Sequence, residues 1–182
     1  MRPTSAMPPE LAPALNLGAL HLRPVEAADY AFLRALYRDV RSQELSATGW
    51  PPEAISAFCD SQFDLQDRHY RAHYPHAHFY VVEKAGVSVG RIYVSDGPQT
   101  LGLMEVSLLS ALRGQGLGTA LLQWLVSVAD ASGKSMELHV EPHNPARLWY
   151  ERWGFAALPE LSGTAANLYL KMLRPATTTG LA

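Results

Sequence analysis

Cysteine is nearly absent from this chain: Cys59 is the only one in 182 residues. A single thiol excludes an internal disulfide framework and suits a reducing cytoplasm. Charge of either sign is not in excess, with 15 Lys and Arg against 17 Asp and Glu. That balance argues against a general nucleic-acid binder. Although 48% of residues are apolar, no uninterrupted apolar run is long enough to span a bilayer. The N-terminus lacks the basic start and apolar centre of a signal peptide. Internal repeats are missing as well. What remains is the expectation of one cytoplasmic domain, large enough for a sizeable core. The Pro- and Ala-rich residues 1–16 read as a disordered leader, 17–174 as the domain and 175–182 as a flexible tail.

Periodicity orders the rest. Leu20-His21-Leu22-Arg23 alternates as a first strand, closed by Pro24. Tyr30, Leu33, Leu36, Tyr37 and Val40 recur at helical spacing between Ala27 and Arg41. Pro51-Pro52 opens a second helix that carries Ile55, Phe58, Cys59 and Phe63 toward Tyr74. Cys59 there reads as a small buried hydrophobe. Strands over His78–Lys84 and Val87–Ser95 form a hairpin through Ala85-Gly86. A central strand over Leu101–Leu109 leads to a glycine-rich loop. A helix follows from Leu117 and ends at Gly133. Then come a strand over Met136–Val140, a helix over Ala146–Trp153, and strands over Phe155–Leu158 and Asn167–Leu173. This order is α+β.

The loop is Arg113-Gly114-Gln115-Gly116-Leu117-Gly118. A glycine-rich turn from strand into helix leaves backbone N–H groups unpaired at the positive end of the helix dipole, which makes an anion site. Arg113 adds a forked cation suited to phosphate. A diphosphate cradle is therefore expected. The nucleotide P-loop is excluded because its lysine is missing. The dinucleotide fingerprint is excluded because the glycines fall at 114, 116 and 118 and the loop lies past mid-chain.

A second block, Leu138-His139-Val140-Glu141-Pro142-His143-Asn144, leads to Tyr150-Glu151-Arg152 and Gly154-Phe155. With Arg113, Gly116 and Gly118, it resembles the Gcn5-related N-acetyltransferase (GNAT) family over roughly residues 20–173. The resemblance implies the acyl-CoA N-acyltransferase fold, with a mixed central sheet of about six to seven strands flanked by helices. It also implies acetyl-CoA as cosubstrate. Coenzyme contacts would come from Val106, Leu108 and Leu109 on the strand, and from Arg113, Gly114, Gln115, Gly116, Leu117, Gly118 and Thr119 in the loop and first turn. Asn144 would contact the pantetheine arm and Tyr150 would point at the thioester sulfur. The first two helices would line the acceptor pocket, with Glu44, Trp50, Gln62, His69, Tyr70 and Tyr74 as candidates.

Acetyl transfer to an amine needs a neutral nucleophile, a donor for the carbonyl oxygen and a proton for the departing thiolate. Direct transfer needs no metal. A phenol titrates near 10, so Tyr150 is the candidate general acid. For the base, His139 and Glu105 are rivals and Glu141 is third. His139 stands where related ribosomal-protein acetyltransferases carry a glutamate. Glu105 is an acid inside an apolar strand, costly to bury unless used or paired. His69, His73, His76 and His78 form a histidine-rich tract, but it has no Cys pair and no His-Glu-x-x-His spacing, so no metal is expected. The expected partner is a small-molecule or peptide amine, with no nucleic acid and no membrane, and the protein is a monomer or homodimer. The alternatives are a non-catalytic acyl-CoA-binding module and an acyltransferase for longer acyl groups or hydroxyl acceptors.

Overall fold

The computed structural model describes residues 20–158 and 169–177. The expected leader, the first residues of the expected last strand and the end of the tail lie outside them. The elements run β1 (Leu20–Pro24), α1 (Tyr30–Ser46), α2 (Pro52–His73), β2 (Ala77–Lys84), β3 (Val87–Asp96), β4 (Thr100–Leu108), α3 (Leu117–Ala131), β5 (Ser135–Val140), α4 (Ala146–Arg152), β6 (Ala156–Ala157) and β7 (Leu170–Arg174). Among the described residues, seven strands form one sheet in the order β1-β2-β3-β4-β5-β7-β6. Of their pairings there, only β4–β5 is parallel. The sheet is thus mixed, with an antiparallel meander on one side and a crossover group on the other.

Local chemistry explains the joints. The β2–β3 turn holds Ala85 at φ 51° and Gly86 at φ 75°, the two left-handed residues of a tight hairpin. Pro52 opens α2 where its missing N–H costs nothing. Asp29, at the entry to α1, takes two hydrogen bonds of 2.7 Å from Arg23 and one of 2.7 Å from the Glu26 N–H. It ties the helix to β1.

Each sheet face has its own cover. Ile92 and Val94 of β3 pack with Leu121, Leu125 and Val128 of α3 in the main core. Arg91 and Tyr93 project the other way, toward Phe63 of α2 and Tyr37 of α1. Leu33, Leu36, Cys59 and Phe63 are fully buried, as the helical periodicity predicts.

Two irregularities in β4 shape everything that follows. Glu105 pairs with Tyr93 and Leu103 with Val94, so Met104 has no counterpart on β3. This bulge reverses the facing of the strand. Before it, Leu101 and Leu103 enter the main core; after it, Val106 and Leu108 pack there instead. Glu105 and Ser107 are thereby delivered to the α1–α2 face. Second, β4 pairs with β5 only from Thr100–Ser135 to Leu103–Leu138, whereas β4 continues to Leu108. Beyond Leu103 the strands part, and the β5-facing backbone edge of β4 is left without a strand partner.

Candidate active site

The parted strands open into two adjoining cavities. The first, about 620 Å³, is lined by Val106, Ser107 and Leu108 of β4, the loop residues Arg113, Gly114 and Gly116, and Leu117, Gly118 and Thr119 of α3. Val40, Leu112, Ala146, Trp149 and Tyr150 complete it. The second, about 460 Å³, is bounded by Arg41, Gln66, Tyr70 and Tyr74 from the helices. Glu105 of β4, Glu137 and His139 of β5, and Glu141, Asn144, Tyr150 and Tyr169 also line it. Val106, Ala146 and Tyr150 line both cavities.

The first cavity is built on backbone. Gly114 and Gly116 sit at φ 76° and 77°, in the region that side chains disfavour. Nothing lies within 4 Å of where their Cβ atoms would be, so conformation and not crowding demands glycine. Gly116 caps α3 without a side-chain hydrogen bond. The first amides of the helix therefore remain free for an outside acceptor. Arg113 stands beside them, and the apolar walls come from Val40, Leu108, Leu112, Leu117 and Trp149. A diphosphate at the loop with an apolar arm along β4 fits this donor set.

Three expected coenzyme contacts are absent from that lining, each with its own physical reason. The Leu109 N–H closes the sheet on Val89 O at 2.9 Å. Gln115 turns outward and accepts a hydrogen bond from Lys84 at 3.4 Å. Asn144 lines the second cavity instead, and its Oδ1 accepts the Ala146 N–H at 2.9 Å. It is committed to the start of α4. Val40, Ser107, Leu112, Ala146 and Trp149 line this first cavity but are not among the expected contacts. Trp149 carried a signal, since it shares a helical face with Tyr150.

The second cavity is built on side chains. Tyr70 and Tyr74 line it as expected. Glu44, Trp50, Gln62 and His69 do not. Glu44 pairs with Arg41 at 3.3 Å. Trp50 packs edge-on against Phe58, and His69 stacks on His73 with ring centres 4.3 Å apart. Gln62 lies one helical turn short of Gln66, which occupies the cavity wall in its place. The spacing Gln66, Tyr70, Tyr74 is a single i, i+4 row, a face that residue type alone does not single out. Glu137 and His139 on β5, and Glu141 just past its end, follow the period of two, alternating with buried Met136, Leu138 and Val140. Glu137 is paired with Lys171 at 2.7 Å.

Tyr150 is 9% exposed. Burial, and after it the charge of Glu105, push its phenol up to about 12. Burial and then Glu105 also push the Tyr70 phenol well above its ordinary value. The Tyr70 hydroxyl donates to the carbonyl of the bulge residue Met104 at 3.3 Å. Glu105 accepts a hydrogen bond from Ser107 at 2.5 Å and another from Gln66 at 3.4 Å. His139, in contrast, is solvent-exposed. Among the described residues, no group of three or more His, Cys, Asp or Glu side chains converges as a metal site. No helix there is long and apolar enough to cross a membrane.

Split parallel strands, a bulged central strand and a glycine-capped helix together frame the two cavities. The family model of the GNAT acetyltransferases matches residues 33–155, and the chain belongs to that family. It is accordingly an N-acetyltransferase with acetyl-CoA as cosubstrate. Solved structures share the fold. The PaiA N-acetyltransferase from Thermoplasma acidophilum, in complex with coenzyme A, is 15% identical with a TM-score of 0.61, covering 86% of this chain and 99% of that one. A histone acetyltransferase HPA2 and related acetyltransferase from Corynebacterium glutamicum is 20% identical at the same TM-score, covering 87% and 97%. An acetyltransferase from Thermus thermophilus is 19% identical at a TM-score of 0.61, covering 86% and 97%. No curated protein matches by sequence.

Proposed function

We propose that the protein moves acetyl groups directly to the primary amine of a compact, cationic small molecule. The observation that carries this reading is the position of Tyr150 in the walls of both cavities. A phenol shared by a coenzyme cavity and an acceptor cavity stands where sulfur and nucleophile must meet. The acceptor cavity, about 460 Å³, falls in the range of small-molecule sites. Its tyrosines and acids favour a cation.

The roles follow from the chemistry of each group. The free amides of Leu117, Gly118 and Thr119, with Arg113, bind the diphosphate. The unpaired β4 edge offers backbone donors to the pantetheine amides and the acetyl oxygen, an arrangement worth about two powers of ten in rate or more. Bound acetyl-CoA supplies an activated acetyl group and a thiol leaving group. Tyr150 holds the proton for the departing sulfur, and a phenol raised to about 12 keeps that proton across the neutral range. Glu105 takes the proton from the incoming ammonium, directly or through water. Three features favour Glu105 over His139: its partly buried position, its fixed hydrogen bonds and its electrostatic coupling to Tyr150. His139 and Glu141 guide the amine at the mouth.

Thiol release from acetyl-CoA, measured against a panel of amines, tests this reading. Monocationic and dicationic amines that fit the cavity are expected to support turnover, and neutral alcohols are not. Turnover confined to lysines within folded proteins would sink the small-molecule assignment.

A further inference from the structure

Arg91 is a charged residue without an assigned purpose. It sits in the middle of β3 with 2% exposure and lines neither cavity. Its guanidinium lies among the rings of Tyr37, Phe63 and Tyr93, at 5.8, 5.7 and 5.0 Å. Its Nε has no hydrogen-bond partner among the described residues. A buried cation with incomplete hydrogen bonding is an expensive way to fill space, and a methionine-like side chain packs the same volume at lower cost. The residue therefore calls for an explanation beyond packing.

Its polar contacts all lead to one place. Nη2 donates to Gln66 Oε1 at 2.9 Å and lies 3.5 Å from Glu105 Oε2. The Gln66 amide then donates from its other end to the same Glu105 oxygen at 3.4 Å. The second oxygen of Glu105 takes the Ser107 hydroxyl at 2.5 Å. Both carboxylate oxygens are thus held, one from behind by Arg91 and Gln66, one from beside by Ser107. The bulge at Met104 is what makes this possible, because it turns Glu105 onto the face that Arg91 occupies. The groups around Glu105 are Tyr37 on α1, Gln66 and Tyr70 on α2, Arg91 and Tyr93 on β3, Ser107 on β4 and Tyr150 on α4, and Arg41, Glu137, His139 and Glu141 share the cavity wall with it. Arg91 is the buried cation in that set.

We propose that Arg91 is a positioning residue: a buried guanidinium that, with Gln66, locks the Glu105 carboxylate in one orientation toward the acceptor cavity. The proposal rests on Glu105 acting on the amine. It assigns Arg91 no contact with either substrate. The contacts to Gln66 and Glu105 both come from Nη2, which is held in place by a planar guanidinium packed among three rings, a placement that the compact ammonium of lysine does not reproduce. Removing an adjacent cation also makes a carboxylate harder to ionise.

The test compares R91K, R91M, E105Q and the double variant R91K/E105Q by steady-state kinetics across pH, with coenzyme A affinity and thermal unfolding as checks on the fold. R91K is expected to lower kcat about tenfold or more, with KM for acetyl-CoA within about twofold of the parent. R91M is expected to lower kcat further, again with KM for acetyl-CoA near the parent value. In the E105Q background, R91K is expected to add little, because the carboxylate it positions is gone. Unchanged kcat in a folded R91K and R91M overturns the proposal, as does an equal kcat loss from R91K with and without Glu105. Failure of both single variants to fold also overturns it, by making Arg91 a structural residue. Parent-like kcat in E105Q would remove the proton-transfer role of Glu105 and overturn the Arg91 proposal with it, whereas a kcat loss in E105Q beside parent-like R91K and R91M would overturn the Arg91 proposal alone.

Discussion

The two cavities on either side of Tyr150 are made from different material. The coenzyme cavity depends on backbone: left-handed glycines, free helix amides and an unpaired strand edge. The acceptor cavity depends on side chains: a row of Gln66, Tyr70 and Tyr74 facing a row of Glu137, His139 and Glu141. A backbone site recognises one ligand and tolerates much sequence change around it. A side-chain site changes its ligand with a few substitutions. The same fold can therefore keep its acetyl donor and exchange its amine.

The largest expected effect comes at the point where the regions meet. Tyr150→Phe keeps the ring and loses the proton donor, so single-turnover rates should fall by about two to four powers of ten. Coenzyme A affinity by calorimetry should hardly move. A parent-like rate would falsify the assigned role and leave Tyr150 as packing between the cavities. Next in size, Arg113→Ala should weaken coenzyme A by about 1.5–3 kcal/mol, the range for hydrogen bonds to charged groups. Gly116→Val should do at least as much, because a β-branched residue resists φ 77°. Undiminished affinity in both would break the backbone half of the comparison.

Smaller effects sharpen the other half. Tyr70→Phe removes the hydroxyl that holds the bulge carbonyl, a bond worth about 0.5–1.5 kcal/mol. KM for the amine should rise several-fold, with coenzyme affinity unchanged. Substitutions at Trp50 and His69, which lie outside the cavity, should leave both constants alone. A shift in amine KM from either would extend the acceptor site beyond its present lining.

The smallest contrast is in stability against acid. Hydrogen bonds from Arg23, together with the Glu26 amide, hold the Asp29 carboxyl below its usual range against the opposing effect of burial. Hydrogen bonds from Arg174 and Thr177 do the same for Asp130, also against burial. Both carboxyls contribute stability that is present above the ordinary carboxylate value of about 4 and lost as pH falls through the depressed value. Denaturant midpoints should therefore drop below about pH 4. Asp29→Asn should flatten that fall more than Asp130→Asn, because the Asp29 side chain is 9% exposed against 33% for Asp130. Equal slopes would remove the distinction.

The coenzyme half was more legible than the acceptor half. Positive-φ glycines leave a direct mark in sequence, and so do the helix that follows them and the Pro51-Pro52 start of α2. The order β2-β3-β4 follows from adjacent hairpins, whereas β1 joins β2 only after α1 and α2. The bulge at Met104 leaves no comparable mark, since any residue type can be the extra one. Without it, alternation from Leu101 and Leu103 puts Glu105 in the main core. Its company of Arg91, Gln66 and Ser107 is then invisible. For the acceptor lining, Tyr70 and Tyr74 were found because aromatics draw notice. Gln62 and Gln66 are alike as residue types, and only the rotation of α2 against the sheet puts Gln66 in the cavity wall. The bond from the Ala146 N–H to Asn144 Oδ1 depends on the turn that leads into α4.

The short ladder between β4 and β5 has a consequence for how the chain acquires its shape. Four residue pairs, Thr100–Ser135 to Leu103–Leu138, join the meander to the crossover group within the sheet. Strands β2, β3 and β4 are neighbouring hairpins that close small loops, while β1 must wait for α1 and α2 to be spanned and the crossover group for α3. The β2-β3-β4 hairpins are thus free to form early, with the crossover group docking late across a seam that opens into the ligand cleft. Amide exchange should register this as a weak line, with the protons of that ladder released before those of β2 and β3. A molecule bound across the cleft acts as mortar along the seam and slows its opening. Acetyl-CoA would then be a folding ligand of this protein as well as its acetyl donor, raising the unfolding temperature in proportion to the logarithm of its concentration.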